Sequence, residues 1–80
     1  MTDRLYIYAA IDAERARQDE KHGERSIASP QLGMETAYLI LAEEVGEVAR
    51  TLLDGGQFAQ LREELIQVAA CAVGWLEAME

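Results

Sequence analysis

The chain is poor in everything that staples or interrupts a small fold. Its 80 residues include one cysteine, Cys71, so no intramolecular disulfide can form. The one proline, Pro30, lies in the only stretch rich in Gly, Ser and Pro. Aromatics make up 6% of the residues, and Ala, Leu, Glu and Arg dominate instead, a composition that favours helix over strand. Cations are scarce too: seven Lys and Arg stand against fifteen Asp and Glu, for a formal charge of -8. That balance excludes a nucleic-acid polymer as partner, because no surplus of cations exists to displace its counterions. A mononucleotide bridged by a metal remains compatible with it. No apolar run is long enough for a membrane span; the longest, Leu65 to Leu76, is interrupted by Gln67 and Gly74. The start of the chain lacks the basic and then apolar character of a signal peptide, so a reduced, cytoplasmic protein is expected, with no membrane attachment.

Half of the residues are hydrophobic, too many for a disordered chain, and 80 residues make a single domain (1–80) near the low end for independent stability. Small domains without staples commonly complete their core with a second copy. The expected architecture is all-α: three helices that complete a helical bundle by oligomerisation, as a homodimer or homotetramer. Thr2 or Asp3 is placed to cap a first helix running to about His22, and Gly23 is its natural stop. Leu5, Tyr8 and Ile11 give that helix a modest apolar face, while Glu14 to His22 is almost wholly polar. Gly23 to Gly33 reads as a connection of about ten residues, longer than a bundle needs, and such loops tend to form a lid or a pocket wall. A second helix is expected from Gln31 or Met34 to Asp54, ended by Gly55-Gly56, and a third from about Gln57 almost to Glu80.

On the second helix Ala37, Leu41, Val45, Val48 and Leu52 form an apolar stripe at helical spacing. Glu44 falls beside it and Glu47 at its edge, whereas Glu43 points away. On the third, Glu64 aligns with Leu61, Val68 and Trp75, and Gln67 lies near Cys71 and Gly74. Between Leu65 and Leu76 the third helix is apolar nearly all round, which makes it the expected dimer surface. A carboxylate in an apolar arc costs on the order of several kcal/mol unless a cation compensates it. One divalent metal compensates several clustered carboxylates at once. Glu44-Val-Gly-Glu47 and Glu64-Leu-Ile-Gln67 therefore read as a metal site. The competing reading gives Glu44 and Glu64 salt bridges to Arg50, Arg62 or the first helix, and makes Gln67 a hydrogen-bonded core amide. Glu43, Glu63, Glu77 and Glu80 read as a solvated face. The run Glu14 to His22 is either a solvated helix end with i,i+4 charge pairs or a set of cations that meet phosphate oxygens. Cys71 reads as inert core. Gly55-Gly56 lacks the Lys and Ser/Thr of a phosphate-binding loop.

Three segments together resemble the MazG-like family of all-α nucleoside triphosphate pyrophosphohydrolases, in particular its small, phage-type members. They are Glu-Arg-Ala-Arg-Gln-Asp-Glu-Lys-His-Gly (Glu14 to Gly23), Leu-Ala-Glu-Glu-Val-Gly-Glu-Val-Ala (Leu41 to Ala49) and Leu-Arg-Glu-Glu-Leu-Ile-Gln-Val-Ala-Ala (Leu61 to Ala70). The family pattern is Glu-x-x-Glu, a spacer, then Glu-x-x-Asp. Glu44 and Glu47 match the first pair, Glu64 matches the third acid, and Gln67 stands where the family has Asp. The resemblance implies hydrolysis of a (d)NTP to the monophosphate and pyrophosphate. It implies Glu44, Glu47 and Glu64 as catalytic residues and, with Gln67, as ligands of Mg²⁺, with Mn²⁺ as the alternative ion. It further implies Arg17, Gln18, Lys21 and His22 as substrate contacts, with Arg15 a further candidate on phosphate. Larger family members hold the nucleotide partly with residues beyond the third helix; here the first helix, the loop or a neighbouring subunit would serve. An amide at position 67 can ligate but adds no charge. The alternative is therefore a catalytically weak or inactive relative that binds nucleotides or a protein partner.

Overall fold

The computed structural model describes residues 3–80, so Thr2, one of the two expected caps, lies outside the described residues. The described residues form three helices: α1 (Arg4–His22), α2 (Met34–Leu53) and α3 (Phe58–Ala78). Two short 3-10 turns, Gly23–Arg25 and Pro30–Leu32, shape the connection between α1 and α2. Among the described residues there is no strand, as the composition indicated. Asp3 caps α1 from an extended conformation, its side chain accepting the Leu5 amide at 2.9 Å. Gly23 ends the helix at φ 55°, a left-handed value that glycine adopts without a Cβ penalty, while its amide donates to the Asp19 carbonyl. The second 3-10 turn starts from Ser29, whose side chain accepts the Gln31 amide, with Pro30 at its first position.

The three helices form a row with α3 in the middle. α1 and α2 each pack along α3 and hardly touch one another. The principal extents, 36 × 28 × 19 Å, are those of a slab. Ile27, Ala37, Ala70 and Cys71 are buried, with Ile40, Leu41 and Trp75 packed around them. The inward line of α2 runs through Ala37, Ile40, Leu41, Glu44, Val48 and Thr51. The expected stripe is thus rotated: Val45 is 50% exposed and Leu52 62%. The physical reason is that the covered side of α2 is the one where Ala37 packs with Ile27 and Cys71 and where Thr51 bonds Glu64. Glu44 consequently sits on the packed face itself and not beside it.

Arg15 ties α1 to the far end of α3. It is 4% exposed, and its Nε donates to Glu77 at 2.6 Å, one Nη to Asp19 at 2.8 Å and the other to the Gln18 side-chain oxygen at 3.0 Å. Buried and bonded to three side chains, Arg15 serves the fold and does not line the cleft described below, against its expected role as a further phosphate contact. Gly74 makes room for it: a Cβ there would overlap the Ile27 Cγ2 and lie 3.1 Å from the Arg15 Cζ.

The core stays small. Among the described residues no large side chain is fully buried. The chain exposes 5990 Å², against about 4800 Å² expected for a folded monomer of its 8.9 kDa. Its radius of gyration is 13.0 Å, where about 11.6 Å is usual for this length. α3 is not buried on most sides as its composition suggests, since Leu65, Val73 and Leu76 remain exposed. The open apolar surface lies instead between α1 and the first half of α3, a hollow of about 260 Å³ lined by Ile7, Ile11, Phe58, Leu61, Leu65 and Ile66.

Candidate active site

A cleft of about 330 Å³ opens between α1 and α2 above the middle of α3. On α1, Glu14, Arg17, Gln18 and Lys21 recur at i, i+3, i+4 and i+7, the spacing that puts them on one helix face. His22 follows at the helix end. α2 supplies Glu43 and Glu44, α3 supplies Gln67 and Cys71, and Arg25 and Ile27 wall one end from the connecting segment. That segment is therefore a pocket wall, one of the two roles its length suggested. The residues expected as substrate contacts, Arg17, Gln18, Lys21 and His22, all line this cleft. So do Glu44 and Gln67 of the acidic motifs. Glu47 and Glu64 do not: Glu47 is exposed, and Glu64 is half-buried and accepts a hydrogen bond from the buried Thr51 hydroxyl. Glu43, expected to point away, lines the rim.

Glu44 is the electrostatic anomaly. Its Oε2 is buried without any hydrogen-bond partner. Burial first, then the charges of Glu47, Glu43, Glu14 and Glu64, hold its carboxyl above the ordinary glutamate range. Neither Arg50 nor Arg62 offers it a salt bridge; among the described residues the ion pairs are Arg15 with Asp19 and Glu77, and Arg17 with Glu14. Lys21, His22 and Arg25 thus reach the cleft without a carboxylate partner. Arg17 is forked onto Glu14, at 2.9 Å through Nε and 2.6 Å through Nη2. Gln18 is buried, accepts from Arg15 and donates to the Cys71 Sγ at 3.7 Å, so much of its amide serves the fold. The Cys71 thiol is pushed up to about 11, chiefly by burial and then by Glu44, and is no nucleophile at neutral pH.

Two residues of the cleft escaped the sequence reading. Arg25 lies in irregular backbone, where periodicity gives no direction. Glu14 carried a usable signal, its helical register with Arg17, Gln18 and Lys21, but reads as part of a solvated run.

The donor set bears on a metal. Carboxylate and amide oxygens suit a hard divalent cation, and the Oε2 of Glu44 is buried with no hydrogen-bond partner. To that extent the residues fit Mg²⁺. Among the described residues, however, no three His, Cys, Asp or Glu side chains lie close enough together to form a finished cage. The cleft therefore opposes an acidic wall to a basic one. Such a surface can take a ligand that is anionic itself and brings a cation with it. Comparison with protein-family models, with curated proteins and with solved structures found no match.

Proposed function

We propose that the protein is a Mg²⁺-dependent nucleoside triphosphate pyrophosphohydrolase of the MazG-like type, cleaving (d)NTP with water to (d)NMP and pyrophosphate. The observation that carries this reading is Glu44, a carboxylate with a buried, unpartnered oxygen, facing a wall that holds Arg17, Lys21, His22 and Arg25. A triphosphate with its metal meets both demands at once. Of the four motif residues, Glu44 and Gln67 line the cleft and would hold the metal, and Glu47 and Glu64 would have to turn toward it to complete the set; the metal would neutralise charge on the phosphates and polarise the phosphoryl oxygens. Arg17 and Lys21 orient the triphosphate by charge-assisted hydrogen bonds, and Arg25 extends that wall. His22, at the mouth, is within reach of sugar or base. One of the motif glutamates, or the metal, would activate the attacking water. Such a substrate belongs to the cytoplasm, and no helix among those described is long and apolar enough to cross a membrane.

The test is pyrophosphate release from a panel of NTPs and dNTPs with and without Mg²⁺. Activity lost in Glu44→Gln and Glu64→Gln but kept in Glu43→Gln supports the reading, and absence of turnover with every nucleotide refutes it. One observation favours a second reading, a nucleotide- or protein-binding module without turnover: Gln67 removes a charge from the motif, and Glu64 is engaged with Thr51. Mg²⁺-dependent nucleotide binding without hydrolysis would mark that case.

Self-association is part of the proposal. Surface in excess by roughly 1200 Å² is more than the ~800 Å² each partner contributes to a standard interface. The hollow beside Phe58, itself 82% exposed, is apolar apart from Arg62 and suits a second copy. A homodimer or homotetramer completing the bundle is expected in sedimentation velocity, and a monomer at micromolar concentration would refute it.

A further inference from the structure

The basic wall of the cleft contains a carboxylate that, by charge alone, works against an anionic ligand. Glu14 lines the cleft together with Arg17 and Lys21, and its side chain is only 13% exposed. Its geometry gives it a task. Oε1 accepts from the Arg17 Nε at 2.9 Å and Oε2 accepts from Nη2 at 2.6 Å, so the fork is side-on. A guanidinium has five N–H donors, and this fork uses the Nε hydrogen and one of those on Nη2. The other Nη2 hydrogen and both on Nη1 find no acceptor among the described residues. They belong to the end-on edge, whose two parallel N–H groups match two oxygens of one phosphate. Lys21 stands one turn further along the same helix face and lines the same cleft. As a fold device the pair contributes little, because the Arg17 side chain is 53% exposed and its partner is three residues away on the same helix. An arginine so exposed, left free, samples many rotamers and loses that freedom on binding. Fixed to Glu14, it has lost it beforehand.

We propose that Glu14 is a positioning residue: it holds Arg17 side-on so that the end-on edge of the guanidinium, with Lys21, forms a preorganised phosphate seat. The inference rests on the reading of Arg17 and Lys21 as phosphate contacts. The seat consists of side chains alone, so it takes up phosphate in EDTA, whereas turnover needs the metal.

Charge and positioning give opposite signs, and isothermal titration of the full chain with sodium pyrophosphate in EDTA reads which one wins. Glu14→Gln deletes a negative charge beside the ligand, which alone would tighten binding; with the fork lost, binding is expected to weaken about two- to tenfold. Glu14→Asp keeps the charge but is one methylene too short for the fork, and should weaken binding as well. Glu43→Gln removes a rim carboxylate that pairs with no cation among the described residues, and should tighten it. In an Arg17→Gln background, Glu14→Gln should no longer weaken binding, a dependence that a merely structural role does not produce. Unchanged or tighter binding in Glu14→Gln, or the same loss with and without Arg17, overturns the proposal. A wild type that takes up no pyrophosphate in EDTA overturns it too, while pyrophosphate release from a nucleotide with Mg²⁺ would still uphold the proposed function. Far-ultraviolet circular dichroism on each variant secures the comparison, and Glu14→Asp carries it if Glu14→Gln fails to fold.

Discussion

Glu44→Gln should make the metal-free protein more stable. The Oε2 of Glu44 is buried and unpartnered, and the neighbours that shift its carboxyl are all acids. A buried polar group left unpaired costs about 1–3 kcal/mol, and more when charged. The Glu44 side chain is only partly covered, which argues for the lower part of that range, and an amide in its place still leaves one unpaired atom. A net gain of about 1 kcal/mol remains, and in a domain of this size that raises Tm by about 4–8 °C. The pH dependence has a definite sign. Because the carboxyl lies above its ordinary value of 4.5 in the folded chain, the folded state holds that proton more tightly than the unfolded one. The resulting stability is fully present below the unfolded value and is lost as pH rises through the raised folded value. The advantage of Glu44→Gln should therefore be full at neutral pH and shrink as the pH falls toward 4.5. Urea denaturation in EDTA at a fixed protein concentration measures both. A variant that is less stable than the wild type at pH 7, or a difference that does not change with pH, would refute the reasoning. Millimolar Mg²⁺ should then stabilise the wild type and not the variant, closing or reversing the gap.

Further expectations concern the packing around the cleft. Arg15→Met leaves the buried Gln18 oxygen without its donor, at about 1–3 kcal/mol, whereas the half-exposed Asp19 and Glu77 return to water with little effect; the midpoint in urea should fall at unchanged slope, and Glu77→Gln should move it by under about 1 kcal/mol. Gly74→Ala, normally worth about 1 kcal/mol to a helix interior, should instead lower Tm because the new Cβ overlaps Ile27 and crowds Arg15; a rise in Tm would show that α1 and α3 are not held this close. Cys71 should react with a thiol reagent at pH 8 far more slowly in the native protein than in urea, since its thiol is pushed up to about 11; equal rates would contradict its burial.

Helix positions were legible in the sequence because their punctuation is local. Asp3 and Gly23 act through their own backbone and the nearest amides, and the ends of α1 lie where they were expected; of the two starts expected for α2, Met34 is the observed one and Gln31 is not. The buried face of α2 was read with an error because Val45 and Leu52 match the helical period as well as Ile40 does. Only long-range partners, Ile27 and Cys71 beside Ala37 and Glu64 beside Thr51, decide which side is covered. The same long-range fact made Arg15 look like a phosphate contact: nothing near it in sequence tells of Glu77, which lies 62 positions away. Placing Glu44 on an apolar face needed only periodicity. Bringing Glu14 and Arg25 to the same cleft needed the placement of the helices.

That order has a mechanical meaning. The two walls of the cleft belong to helices that are each fastened to α3 and scarcely to each other. The gap between them is therefore bounded like a caliper, its width set by the α1–α3 and α2–α3 seams. Arg15, clamped to both Glu77 and its own helix near the middle of α1, is the natural pivot of one jaw. A ligand spanning the two walls would add to the little that α1 and α2 share directly. Recognition and the completion of the fold are then one event, and the width at which the jaws settle is a measure of what they hold.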